Sequence, residues 1–305
     1  MNYGTTRRRA HWMLSLGVVL AIAATACAPT TPPATGSMPA TGRFSSELYT
    51  NAQLTEVPGV LYGTAENVNG VQVELRLDLF LPPAGGPAAR PAAVVVHGGG
   101  FSGGTREQMA GTARTYARRG FVAASISYRL DPQASASSAR YLSAAVDAID
   151  DGMESVRWLR SNAATYGIDT SRISMIGSSA GGAVALGVAA ADDPTPGGPL
   201  GGVSPTIAAA VSTGATLTPG IGSLITSEPT APPSLMLHYQ VHTYTYNPAP
   251  YTMNTCHGLV AAGAPCRFVT QSGSGHTVSL AAGGPFWSPE IGPFLWEHLR
   301  LNAIS

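Results

Sequence analysis

The sequence contains no lysine: all seventeen of its basic residues are arginines. That absence excludes a catalytic or Schiff-base lysine and any phosphate-binding loop of the Walker type. Charge of either sign is scarce, at 11% of residues, and it cancels to zero. Outside Arg7, Arg8 and Arg9 there is no basic run, so nucleic-acid binding has no electrostatic support. Cysteine is limited to three residues, and none of them forms the double pair that a structural zinc site requires. Acids nearly vanish from the C-terminal third, where only Glu228, Glu290 and Glu297 follow Asp193. The longest apolar stretch, Met13 to Ala26, is too short for a permanent membrane span.

What is present begins with an export signal over residues 1–26. Three arginines precede an apolar stretch that ends in small residues. It is read as an ordinary secretion signal, with a twin-arginine signal as the alternative. Cys27 follows Ala24-Thr25-Ala26, which is similar to a bacterial lipobox and makes Cys27 a candidate for lipidation; plain cleavage after Ala26 is the other reading. Any membrane association then runs through a lipid on Cys27. Residues 27–50 are rich in Pro, Thr and Ala and read as a tether. The remaining pair, Cys256 and Cys266, is expected to form a disulfide in an oxidising compartment.

From residue 51 to 305 the chain reads as one domain of alternating strands and helices. Val71 to Leu81 alternates with period two, whereas Ala92 to Val96 is a short continuous apolar run of the buried parallel type. Further strands are expected at Phe121–Tyr128, Arg172–Ile176, Ile207–Ser212, Ser234–His238 and Arg267–Gln271. Helices are expected at Gly111–Arg119, Tyr141–Asn162, Ser179–Ala191, Tyr251–Ala262 and Phe294–Leu301. Such units predict an α/β fold with a mostly parallel sheet covered on both faces. Its active groups should lie beyond the C-terminal strand ends.

Three motifs fall at those ends. Gly177-Ser178-Ser179-Ala180-Gly181 lies between a strand and a helix, the context of a nucleophile elbow, and makes Ser179 the candidate nucleophile. His97-Gly98-Gly99-Gly100-Phe101 follows the strand at Ala92–Val96. Its bare backbone makes Gly99 and Gly100 candidate oxyanion donors, together with the N–H of Ala180, the residue after the nucleophile. His97 itself reads as a structural hydrogen-bonding residue. His276, in Gly273-Ser274-Gly275-His276 after the last strand, is the candidate base, because a histidine there completes the chain order of such sites.

With HGGGF, ARRGFVAASISYRL, ESVRWLRSNAATYGIDTSRISMIGSSAGG, LVAAGAP and GSGH in order between about residues 60 and 302, the chain resembles bacterial α/β-hydrolase carboxylesterases. These are the hormone-sensitive-lipase-like and feruloyl/acetyl-esterase-like groups. The resemblance implies an eight-stranded α/β-hydrolase sheet, ester hydrolysis, and Ser179 and His276 as nucleophile and base. In those families Asp151 matches an acidic residue heading the helix before the nucleophile strand, where it is structural.

The chain departs from the family at the triad acid, whose place lies a few residues after the strand Ser234–His238. The segment His238 to Pro250 contains no acid. Counting forward from His238 puts His242 at that place, whereas matching the usual Asp-Pro step puts Asn247 there. Three readings stay open: a dyad or an Asn247-assisted site, an acid from elsewhere such as Glu228 or Asp193, or a decayed site on a binding protein. The acid orients the imidazole and stabilises the imidazolium, and replacing it by Asn in a serine protease lowers turnover about 10⁴-fold.

The stretch from Thr213 to Pro232 is too short for a large cap. An open cleft is expected, suited to small esters or to acyl groups on polysaccharides, with Tyr239, Tyr244, Tyr246 and Tyr251 near it. No metal or cofactor is required, because water completes deacylation.

Overall fold

The computed structural model describes residues 37–193, 200–222, 231–243 and 249–305. Eight strands run β1 Thr55–Glu66, β2 Gln72–Leu81, β3 Arg90–Val96, β4 Val122–Ile126, β5 Ile168–Ser178, β6 Ala209–Thr213, β7 Ser234–His242 and β8 Cys266–Gly275. The α-helices are α1 Ala110–Ala117, α2 Ser138–Ser161, α3 Ala163–Tyr166, α4 Ala180–Ala190, α5 Pro219–Gly222, α6 Ala249–Ala261 and α7 Gly292–His298. The strands form a single sheet in the order β1-β2-β4-β3-β5-β6-β7-β8. The pairs β1–β2 and β2–β4 are antiparallel and every other pair is parallel.

The two faces of the sheet follow from strand alternation. In β3, Ala92, Val94 and Val96 point into one core, and Ala93 and Val95 into the other. The first core is closed by α2 and α4, through Ile149, Met153, Val156, Val184 and Leu186. The second is closed by α1 and α7, through Tyr116, Phe294 and Leu295. Helix α4 is buried on every side, which is why its sequence, AGGAVALGVAA, carries no polar face.

The order of the sheet reverses at β3 and β5. The chain leaves β3 toward β4 on one side and leaves β5 toward β6 on the other. Loops departing in opposite directions open a crevice at the C-terminal ends of these strands, a topological switch point. The glycine loop follows β3 and Ser179 follows β5, so both motifs meet there.

Two expectations from the sequence are corrected, and one strand is added to those expected. Residues 37–50 do not behave as tether. Phe44 is fully buried in the second core against Phe121, and the Ser45 carbonyl accepts from Trp287 Nε1 at 2.9 Å. The domain therefore begins before residue 51, while residues 1–26, Cys27 and the rest of the tether up to residue 36 lie outside the described residues. Strand β1 is an addition. Pro58 and Gly59 interrupt its sequence, and the register shifts between Val57 and Val60, so no clean alternation marks it. Asp151 lies inside α2 rather than at its head, and there it receives the Arg129 backbone N–H and Nε at 2.6 and 2.8 Å. That pairing ties the segment after β4 to the helix, a structural role.

Replacing Phe44 by Ala removes a ring from the second core. We expect a loss of about 3–5 kcal/mol in unfolding free energy by urea titration. A loss below 1 kcal/mol would return residues 37–50 to the tether.

Candidate active site

Ser179 sits at the turn from β5 into α4 with φ 55° and ψ −121°, a conformation that L residues rarely adopt and that costs about 1–3 kcal/mol. The turn is tight enough to exclude side chains on either side. A Cβ on Gly177 would run into the Gly181 carbonyl, and a Cβ on Gly181 would meet the Val96 and His97 carbonyls. The serine is fixed from the neighbouring strand, because its N–H donates to the Thr213 carbonyl at 2.8 Å.

His276 Nε2 lies 2.8 Å from Ser179 Oγ. The imidazole is held at the end of β8, and the backbone after it is anchored by the Val278 N–H donating to Thr213 Oγ1 at 2.8 Å. Thr213 thus positions the serine through its carbonyl and the histidine loop through its hydroxyl. Sequence reading passed over this residue. Its one available signal is its position at the C-terminal end of a buried parallel strand.

On the other side of the ring, His276 Nδ1 lies 2.9 Å from His242 Nε2. His242 Nε2 also lies 3.1 Å from the His276 carbonyl. The expected strands at Ser234–His238 and Arg267–Gln271 both run longer in the structure, to His242 and Gly275, and these two residues are register partners. The extension brings the two imidazoles together. His242 in turn stacks on the buried His238, with ring centroids 4.3 Å apart.

Of the two residues offered by the sequence for the place of the acid, His242 is the one described beside His276. Asn247 and Glu228 lie outside the described residues. Asp193 is removed from consideration, since it lies beyond the C-terminal end of α4, about 16 Å of helix away from Ser179, and pairs with Arg157. Tyr244 and Tyr246 also lie outside the described residues, while Tyr239 packs against Gly275.

The glycine loop is pinned by its flanks. Phe101, at φ 62°, is fully buried and packs edge-on against Tyr141 at 5.1 Å, and its carbonyl accepts from the Asp131 N–H. His97 is buried, stacks on Tyr128 at 4.3 Å, and donates from Nδ1 to the Gly98 carbonyl at 2.7 Å. Gly98 lies directly against the serine, and a Cβ there would come within 3.0 Å of Ser179 Cβ. Among the described residues, the N–H groups of Gly99, Gly100 and Ala180 have no protein acceptor, and the last belongs to the first turn of α4. No group of His, Cys, Asp and Glu among the described residues could hold a metal ion.

The fold is that of the α/β hydrolases. Residues 77–195, from β2 to just past α4, match the family model described as BD-FAE. The chain is similar to phenmedipham hydrolase of Pseudarthrobacter oxydans, 35% identical over 35% of this chain and 21% of that protein. It is also similar to a probable isoprenylcysteine alpha-carbonyl methylesterase of Oryza sativa subsp. japonica, 32% identical over 39% of this chain and 25% of that one. The chain thus spans about a fifth to a quarter of the length of these relatives. Among solved structures, the esterase Est2 of Thermogutta terrifontis superposes with a TM-score of 0.60 at 22% identity, covering 80% of this chain and 91% of that one. A truncated carbohydrate esterase from gut microbiota gives 0.62 at 18% identity, covering 84% and 100%. These likenesses carry the fold and the resemblance to carboxylesterases.

Burial, followed by the neighbouring His242, lowers the pKa of His276 from the ordinary 6.5. Its imidazole should titrate below 6.5 by ¹H–¹⁵N NMR and stay neutral as the base at pH 7. A titration above 6.5 would point to an anionic neighbour instead.

Proposed function

We propose that the chain is an exported serine carboxylic-ester hydrolase, with Ser179 as nucleophile and His276 as general base. One observation carries the reading: a serine hydroxyl at a strained strand-to-helix turn, 2.8 Å from an imidazole nitrogen. His276 Nε2 takes the Ser179 proton as Oγ attacks the ester carbonyl. The oxyanion that forms lies at the first turn of α4, where the N–H of Ala180 and those of Gly99 and Gly100 donate to it. The imidazolium then gives its proton to the departing alkoxide, leaving an acyl-Ser179. Water, deprotonated by the same imidazole, releases the acid.

Export is proposed on the arginine-led apolar N-terminus, and membrane attachment on a lipid at Cys27. Export is supported by Cys256 and Cys266, whose sulfurs lie at disulfide distance, a pairing that persists in oxidising compartments. The short β6–β7 connection favours an open cleft, and we propose small esters or acyl groups carried on polysaccharides as substrates. A second reading, a binding protein on a degenerate hydrolase fold, draws on the absence of a described carboxylate beside His276.

Labelling separates the two readings. Paraoxon phosphorylates the solved Thermogutta esterase 2, and a fluorophosphonate probe tests the same nucleophile here. Labelling and p-nitrophenyl acetate hydrolysis should both be present in the wild type and absent in Ser179→Ala. A folded wild type that is neither labelled nor active is the binding protein.

The glycine loop gives a graded test. A Cβ on Gly99 would strike the Gly103 carbonyl, whereas one on Gly100 meets nothing closer than 3.9 Å. Gly99→Ala should therefore lower kcat about 10²–10³-fold, the cost of an oxyanion donor. Gly100→Ala, strained only by its positive φ, should lose about tenfold or less. Equal losses would count against Gly99 as a positioned donor.

A further inference from the structure

We propose that Thr213 and Gly214, at the end of β6, are the seat on which the loop carrying the base lands, and that this seat fixes the distance between Ser179 and His276. Thr213 is then a positioning residue, acting through the backbone beside the histidine rather than on the reacting atoms. The proposal rests on the reading of Ser179 and His276 as nucleophile and base.

The need for a seat follows from the sheet order. Ser179 follows β5 and His276 follows β8, and β6 and β7 lie between those strands. Three strand spacings of about 4.8 Å separate β5 from β8, about 14 Å in all. Yet His276 Nε2 comes within 2.8 Å of Ser179 Oγ. The loop after β8 must therefore turn back across the ends of β7 and β6. Pairing between β7 and β8 stops at Gly275, so from His276 onward the ladder no longer guides the chain.

The seat takes over at two points. The Val278 N–H donates to Thr213 Oγ1 at 2.8 Å, and both residues are buried. The His276 carbonyl lies against Gly214, where a Cβ would strike it and would press on Thr277 as well. The φ of 59° at Gly214 is a second demand for glycine there. His242 Nε2 lies 3.1 Å from the same carbonyl. The backbone on either side of Thr277 is thus held against two consecutive residues of one strand end. Further along, the Leu280 carbonyl accepts from Tyr116 Oη at 2.8 Å, and the Ala282 N–H donates to Thr115 Oγ1 at 2.9 Å. Those anchors on α1 do not involve Thr213, so a change at 213 loosens the loop at the histidine alone.

Thr213 also holds the serine. It is the register partner of Ser178, and its carbonyl takes the Ser179 N–H at 2.8 Å. On its other side it pairs with Leu237 of β7, whose carbonyl accepts the Gly214 N–H at 3.2 Å. Nucleophile and base therefore refer to one point in the sheet. The two functions of Thr213 are separable, because one is backbone and the other side chain. A substitution keeps the carbonyl for the serine and removes the hydroxyl from the loop. A misplacement of about 1 Å between reacting groups costs about 10²-fold in rate.

The test compares kcat and KM for p-nitrophenyl acetate in three variants. Thr213→Val keeps the bulk and removes the acceptor, Thr213→Ser keeps the hydroxyl, and Gly214→Ala pushes on the His276 carbonyl. We expect kcat of the Val variant to fall about 10–10²-fold with little change in KM. The Ser variant should stay within about threefold of the wild type, and Gly214→Ala should lose about 10²-fold or more. A threonine with a purely structural role would lower stability and leave the kcat of folded enzyme unchanged.

Hydrogen exchange at the Val278 amide supplies a readout independent of turnover. It should be slow in the wild type and the Ser variant and fast in the Val variant. A folded Val variant with wild-type kcat, or a Ser variant as slow as the Val variant, overturns the seat and leaves Ser179 and His276 standing. If the Val and Ala variants do not fold by circular dichroism, the wild-type amide decides. Protection at Val278 together with an active Ser variant supports the seat, and exchange as fast as in an exposed loop overturns it. A wild type without Ser179-dependent labelling overturns the hydrolase reading itself.

Discussion

Holding one serine backbone at φ 55° is the constraint on which the rest of the site depends. The conformation is unfavourable by itself, and three neighbours enforce it. Gly177 and Gly181 leave room for carbonyls that any side chain would strike, and the Thr213 carbonyl takes the serine N–H. Because β3 and β5 are adjacent at the point where the sheet order reverses, the same bend that raises Ser179 also sets it beside the glycine loop. The strain is local, while what offsets it is spread over a core packed on both faces of the sheet.

The second half of the site is built at the other side of the same crevice. Strands β7 and β8 run on past their apolar segments into polar and glycine-rich sequence, and their last paired residues are His242 and Gly275. That pairing sets the distance between the two imidazoles. In the usual arrangement a carboxylate fixes the ring of the base and balances the charge it acquires. Here a second imidazole, that of His242, lies 2.9 Å from Nδ1 of His276.

Much of the fold was legible from periodicity. The alternation of Val73, Leu75, Leu77 and Leu79 marked β2, and the unbroken run of β3 marked a strand with both faces covered. Both β1 and the packing of residues 37–50 escaped. In β1 a proline and a glycine fall at a bulge, so hydrophobic spacing no longer reports the strand. Around Phe44 a single aromatic ring does the anchoring, and a lone residue has no period. The strand extensions to His242 and Gly275 escaped for a related reason: their residues are polar, and they are held by pairing with each other rather than by burial.

The amino-acid sequence determined which chemistry was available. A serine flanked by glycines between a strand and a helix, a glycine run after a buried strand and a late histidine can be recognised locally, because each depends on backbone demands that only certain residues meet. It also showed that the customary acid was missing, and left both His242 and Asn247 as occupants of its place. Only the tertiary structure brought His242 against His276, because that contact arises from the register of two strands, and register is a property of the pair that neither segment encodes alone.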